Sequence, residues 1–181
     1  QLALSFFAGG CLVFFCFALC GAGAAVLWML DSGDSGLSLS AATPLPGSDI
    51  GLTFDAPAFP GEAAVNDQGL QLTILETNRN AVVEGIPPVE GREVAIVTVE
   101  LVNLGVDTAG FNEADFQLLN AYQEAYPPAL GAIAGALGRG TLPPNEGLEG
   151  RLVFEVIQDE TDLRLFWQPG QASAARFLYL Q

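Results

Sequence analysis

The chain has 181 residues, half of them hydrophobic, and carries 21 acidic against 6 basic side chains for a net charge of −15 at pH 7. All six bases are arginines, and there is no lysine and no histidine. A nucleic-acid binder needs a basic patch that displaces counterions, and an anionic lipid surface repels an acidic domain, so both are excluded as partners of the charged part. The acidity itself serves solubility.

The first 30 residues differ from all that follow. From Leu2 to Leu30 there is no charged residue, and all 27 charged side chains lie from Asp31 onward. As a helix this run is roughly 44 Å long at about 1.5 Å per residue. That exceeds the roughly 30 Å hydrocarbon core of a bilayer, so the run is predicted to be a single transmembrane helix over 1–30. A cleaved signal peptide is the competing reading, but the run is about twice the usual apolar region and no basic stretch precedes it. The chain opens on Gln1 and not on Met, an expectation of upstream processing. Trp28, next to Asp31, suits the headgroup region and is the predicted interface anchor.

At 100° per residue, Gly9, Val13, Cys16, Cys20, Gly23 and Leu27 share one stripe of the helix. Small residues let a neighbouring helix approach closely, so these six are the predicted helix-packing positions. Phe6, Gly10, Phe17, Gly21 and Trp28 form a second stripe. All three cysteines, Cys11, Cys16 and Cys20, fall in this run, at a spacing that matches no metal motif. The remaining chain folds without a disulfide and has no thiolate for catalysis.

Residues 31–49 are rich in Ser, Gly, Ala and Pro and read as a flexible linker. Asp31 to Gly36 faintly resembles a calcium loop but is too short and lacks a distal bidentate acid. An all-β domain is predicted over 50–181. Ile50 to Phe54 is a candidate first strand, and Ala56 to Gly69 looks irregular. Leu70, Leu72 and Ile74 alternate with Gln71 and Thr73, and Glu93 to Val102 is apolar on both faces, as a central strand is. Strand alternation returns at Phe116–Leu119, Arg151–Val156, Leu163–Trp167 and Arg176–Tyr179, with turn residues between them. About seven short strands at this spacing predict an antiparallel β-sandwich. Ala129 to Gly140 departs from the pattern: it is Ala/Gly/Leu-rich and reads equally as an exposed contact loop or an insert packed on the core.

The order of these segments carries a resemblance. Val94 to Asn103 is followed by a glycine. Asp115-Phe116-Gln117-Leu118-Leu119 and Tyr126 come next, then a Leu-Pro-x-x-x-Gly turn into Leu148 to Val156, which ends in Phe154-Glu155-Val156. Over Leu70 to Leu180 the chain resembles the telokin-like, immunoglobulin-like extracytoplasmic domains of bacterial lipoproteins and membrane-anchored surface proteins. It departs from them in lacking a lipid-attachment motif and in the Ala/Gly insert. The resemblance implies an immunoglobulin-like sandwich outside the membrane, no general enzymatic activity, and no site residues to transfer.

Chemistry is sparse. Without histidine or lysine no triad has its usual base. Glu113, Asp115 and Glu124 sit in turn-like contexts and read as solvated carboxylates. No glycine-rich phosphate loop is present. The residues therefore predict no catalytic, cofactor or metal site and no enzyme. The expected role is a non-catalytic accessory or structural subunit of a membrane protein complex. Its helix would pack in the bilayer against other membrane-protein subunits or copies of itself, and its domain would make protein contacts outside. A pilin- or archaellin-like filament subunit, although Ser5 stands where such a chain usually has an acid, and a solitary surface binding module are the alternatives.

Overall fold

The computed structural model describes residues 45–87 and 89–180. The predicted transmembrane helix, its packing residues Gly9, Val13, Cys16, Cys20, Gly23 and Leu27, the anchor Trp28 and most of the linker lie outside the described residues. Among the described residues no helix is long and apolar enough to cross a membrane.

Among the described residues, ten strands and one short 3₁₀ turn make up the fold. They are β1 (Ala63–Val65), β2 (Leu70–Asn78), β3 (Arg92–Asn103), β4 (Ala109–Asn112), β5 (Phe116–Leu119), β6 (Ala125–Tyr126), β7 (Arg139–Leu142), β8 (Gly147–Ile157), β9 (Arg164–Trp167) and β10 (Arg176–Tyr179). Two four-stranded sheets form, in the orders β1-β2-β3-β8 and β10-β9-β5-β6, and β4 pairs with β7 in a two-stranded ribbon. Every strand ladder is antiparallel. The predicted all-β sandwich is thus what folds, with more strands than the alternation pattern reveals.

The sandwich core follows from period-2 burial. Leu70, Leu72 and Ile74 of β2, Ala95, Val97, Val99 and Leu101 of β3, and Leu152, Phe154 and Val156 of β8 face Phe116, Leu118, Leu165, Trp167 and Leu178 of the second sheet. Phe116 and Trp167 stack with ring centroids 6.0 Å apart and an interplanar angle of 11°. Strand β3 is central, as its doubly apolar sequence predicts, and its second apolar face has its own cover. Val94 of β3 and Val153 of β8 bury against Val83, Ala81, Ile86, Ile96, Ala129, Ala132 and Ile133, a separate small core on the outside of the first sheet.

That cover settles the two readings of the Ala/Gly-rich stretch in favour of packing. Residues 129–137 run along the outer edge of β8, where the Ala129 amide donates to the Val153 carbonyl (2.8 Å) and the Leu137 amide to the Arg151 carbonyl (3.0 Å). Leu137 itself enters the main core. It lies on Gly150, where an added Cβ would meet the Leu137 Cα at 2.7 Å, so this crossing requires glycine. A covered edge offers no template for pairing with another chain.

Two expectations change. Ile50 to Phe54 is no strand: it belongs to a strap of turns over 45–60 that lies along β10. The Phe177 amide donates to the Gly51 carbonyl (2.8 Å), and Ala58 closes the register on either side, its amide donating to Phe177 and its carbonyl accepting from Tyr179, each at 2.8 Å. Conversely, the stretch expected to be irregular contains β1. Ordered contacts begin ahead of residue 50, since the Val65 amide donates to Gly47 (3.0 Å).

Three buried asparagines fix the turns. Asn66 Oδ1 accepts from the amides of Gln68 (3.0 Å) and Leu70 (2.9 Å), and Asn120 Oδ1 from those of Tyr122 (3.0 Å) and Glu124 (2.9 Å). Asn103 Oδ1 accepts from Gly105 while its Nδ2 donates to the carbonyls of Asp107 (2.8 Å) and Leu142 (2.7 Å), which ties the β4–β7 ribbon to the end of β3. Such local side-chain bonds replace backbone partners where the ladders stop.

Candidate functional site

The carboxylates examined for chemistry are dispersed. Glu124 is exposed, and its Oε2 accepts from Asn120 Nδ2 (2.9 Å). Asp115 is half-buried, and partial desolvation holds its pKa above the ordinary carboxylate value against the opposing backbone hydrogen bonds at Gly170 and Asn112. Glu113 is not solvated as expected. It is 3% exposed, because the 129–138 segment folds over it: its Oε2 accepts from the Gly131 amide (3.1 Å) and its amide donates to the Gly138 carbonyl (2.6 Å). Its role is to fasten the insert. Among the described residues no group of three or more acids, cysteines or histidines is placed to hold a metal ion.

Among the described residues, two apolar features of the surface bear on contacts. One is a cleft of about 160 Å³ under the 80–89 loop, lined by Val82, Ile86, Pro87, Val89 and Val94 with Glu93 at its side. Its charges are balanced: Arg79 pairs with Glu93, and Arg92 with Glu155 at 3.3 Å.

The other is the outward face of the second sheet. Phe166 of β9 and Phe177 of β10 project to the same side, paired in register, with ring centroids 5.4 Å apart and edge to face. Phe54 of the strap meets Phe177 at 6.1 Å, also edge to face. The Arg164 guanidinium lies 4.0 Å from the centre of the Phe54 ring, a cation–π stack. Tyr179 completes the row, and its hydroxyl donates to Asp162 (3.0 Å), a bond that raises the tyrosine pKa. These rings are half-buried, and Leu52 and Phe59 of the same strap are 48% and 64% exposed.

The strap is held there by Arg176. The alternation of β10 puts this arginine on the inward side with Leu178, and it is 3% exposed. Its Nε donates to the Val65 carbonyl (2.9 Å), and its two terminal nitrogens donate to Ala175 (3.0 Å) and Ser48 (3.2 Å). Burial lowers its pKa, an effect that Asp67 opposes. Read from the sequence, Arg176 is one polar position among apolar ones, and only its long-range partners mark it as a clamp. The aromatic face itself is written in the alternation of Phe166, Phe177 and Tyr179, but the contribution of Phe54 depends on the strap and has no local signal.

Comparison with known proteins places this architecture. The structure is similar to the Bacillus subtilis protein ycdA, a candidate lipoprotein, with a TM-score of 0.55 at 17% identity, covering 63% of this chain and 37% of that one. It is similar to the yjhA protein of Bacillus subtilis, with a TM-score of 0.54 at 17% identity over 68% of this chain and 99% of that one. It is also similar to MPT63, a secreted protein of Mycobacterium tuberculosis, with a TM-score of 0.52 at 17% identity over 67% and 94%. At these identities the likeness is one of fold: a β-sandwich shared with bacterial proteins, without the finer telokin-like assignment. No curated protein matches the chain. The family model described as "Domain of unknown function (DUF4352)" matches residues 60–176, from the end of the strap to the clamp arginine, and the chain belongs to that family.

Proposed function

We propose that this chain is a membrane-anchored, non-catalytic contact module: an accessory or structural subunit of a membrane protein complex, with an immunoglobulin-like sandwich outside the membrane. One observation carries the reading. Its own loops bury Val94 and Val153 on the outer side of the first sheet, whereas among the described residues Phe166, Phe177 and Tyr179 on the outer side of the second sheet stay half-buried. Aromatic rings that stay partly wet on a rigid sheet are what a protein contact uses, since they bring large area at small entropic cost. The apolar run over 2–30 supports the anchor, and its small-residue stripe a packed helix. The likeness of fold to a candidate lipoprotein and a secreted protein is consistent with a position outside the cytoplasm.

Purification in mild detergent with native mass measurement tests this. A complex larger than the monomer is expected, and its partner is lost when Phe59 and Phe177 are both changed to serine. A lone monomer in every detergent overturns the reading.

A further inference from the structure

We infer that the aromatic face seats a cationic, amphipathic segment of a partner protein, an apolar stretch flanked by lysine or arginine. The inference rests on the contact-module reading and names the chemistry of the contact. The centre of the face is apolar: Phe54, Phe177 and Phe166 form one continuous edge-to-face row. A mainly polar, shallow depression of about 270 Å³, lined by Pro60, Leu75, Glu76, Thr77 and Tyr179, lies beside it. The rim is acidic. Glu62 accepts from the Phe59 amide (2.8 Å), Asp162 accepts from the Tyr179 hydroxyl (3.0 Å), Glu76 lines the same depression as Leu75, and Asp55 follows Phe54. All four carboxylates are exposed, and among the described residues none is in an ion pair. The one base in this group, Arg164, is engaged on the Phe54 ring.

A row of rings carrying one stacked guanidinium, with exposed carboxylates beside it that are unpaired among the described residues, favours a partner that brings apolar and basic side chains. Opposite charge at the rim steers encounter and fixes register, while the desolvated rings supply the affinity. The manner of docking is also constrained. The free edge of β10 is already filled by Gly51 and Ala58 of the strap, so the partner cannot add as a strand there and must meet the face by side chains. A bilayer surface fits less well, because four carboxylates would enter the headgroup region with the rings, and an anionic leaflet repels them.

The test uses the full chain in phosphatidylcholine nanodiscs and in detergent, with amide hydrogen exchange as the readout. The probes are two synthetic peptides, one alternating leucine with lysine and one alternating leucine with glutamate. The lysine peptide is expected to slow exchange over 52–60 and 176–180 and to bind at least about tenfold more weakly to Phe59→Ser, with affinity falling as salt rises. Glu76→Gln with Asp162→Asn should weaken it as well. Unchanged binding to Phe59→Ser, or equal binding of the glutamate peptide, overturns the inference. So does protection of the same segments by nanodiscs alone, which would make lipid the occupant. Phe59 is mostly exposed, and exchange of the core strands verifies that the variant folds. If the chain does not enter nanodiscs, the anchor reading fails, while the peptide result in solution still decides the face.

Discussion

The outward faces of the two four-stranded sheets both carry apolar residues and bury them to different degrees. Over the first sheet, Val94 and Val153 are buried under the 81–86 and 129–133 loops with Ile96 half-buried beside them, and Val153 is 0% exposed. Over the second, among the described residues, Phe166, Phe177 and Tyr179 meet the strap alone, and the rings stay half-buried. A chain that needed only to hide apolar strand residues has the means, as the first sheet demonstrates. The open face is therefore a choice of surface, and the comparison can be broken by substitution.

The largest contrast is expected between Val153→Asp and Phe59→Ser. The first puts a carboxylate into a fully buried apolar position, which costs several kcal/mol. It should abolish cooperative urea unfolding or lower its midpoint severely. The second removes a ring that is already 64% exposed and should change stability by no more than about 0.5 kcal/mol. Equal losses in the two would mean that the second sheet is covered as thoroughly as the first.

Next in size is Leu137→Ala. Leu137 is 5% exposed and reaches the main core across Gly150, so truncation should cost about 2–4 kcal/mol through lost burial and a cavity. Denaturant unfolding measures it. A loss below about 1 kcal/mol would mean that residues 129–137 lie loosely on β8.

This difference between the faces was only half-legible beforehand. Apolar residues on both sides of β3 announce a strand covered twice, because period-2 burial leaves no solvent side. What covers it is not announced: Ala129 to Gly140 has no periodicity, and its role comes from backbone bonds to β8 and from the missing Cβ of Gly150. The β4–β7 ribbon escapes detection for a related reason. Ala-Gly-Phe-Asn and Arg-Gly-Thr-Leu show no alternation, and the ribbon is tied to the end of β3 by the amide of Asn103. Glu113 reads as a surface acid because nothing local says that a later loop will bury it. On the second sheet, the alternation of β9 and β10 gives the direction of Phe166 and Phe177 directly, whereas Arg176 looks like a solvent residue until its carbonyl partners at Val65 and Ser48 are seen. Local rules thus capture strands, and miss whatever is made by contacts distant in the chain.

Arg176→Met should sharpen the comparison by loosening the strap over the second sheet. The methionine keeps much of the apolar volume but leaves the carbonyls of Val65 and Ser48 without their charged donor, a loss of about 2–3 kcal/mol. Amide exchange should quicken at Ala58 and at Phe177, whose hydrogen bonds join the strap to β10, while β3 and β8 remain protected. Uniform acceleration across both sheets would show instead that the clamp stabilises the whole sandwich.

The smallest expected effect compares two tyrosines of the second sheet. Tyr126 is in the core, 8% exposed, and its hydroxyl donates to Glu160 (2.8 Å), whereas Tyr179 lies on the open face and donates to Asp162 (3.0 Å). Both pKa values are raised, but for Tyr126 the leading cause is burial, and for Tyr179 it is the hydrogen bond to Asp162. A raised folded value means that the neutral phenol is favoured by the fold. That stabilisation is complete below the ordinary tyrosine value of about 10 and is lost as pH rises through the folded value. The loss should be felt chiefly through Tyr126, where the phenolate would be desolvated and next to a carboxylate. At Tyr179 solvent screens the same pairing. Thermal unfolding between about pH 9 and 11.5 should therefore show an alkaline fall in stability that shrinks in Tyr126→Phe and persists in Tyr179→Phe. If Tyr179→Phe removes the fall instead, that tyrosine is as dry as the core, and the face proposed as open is closed.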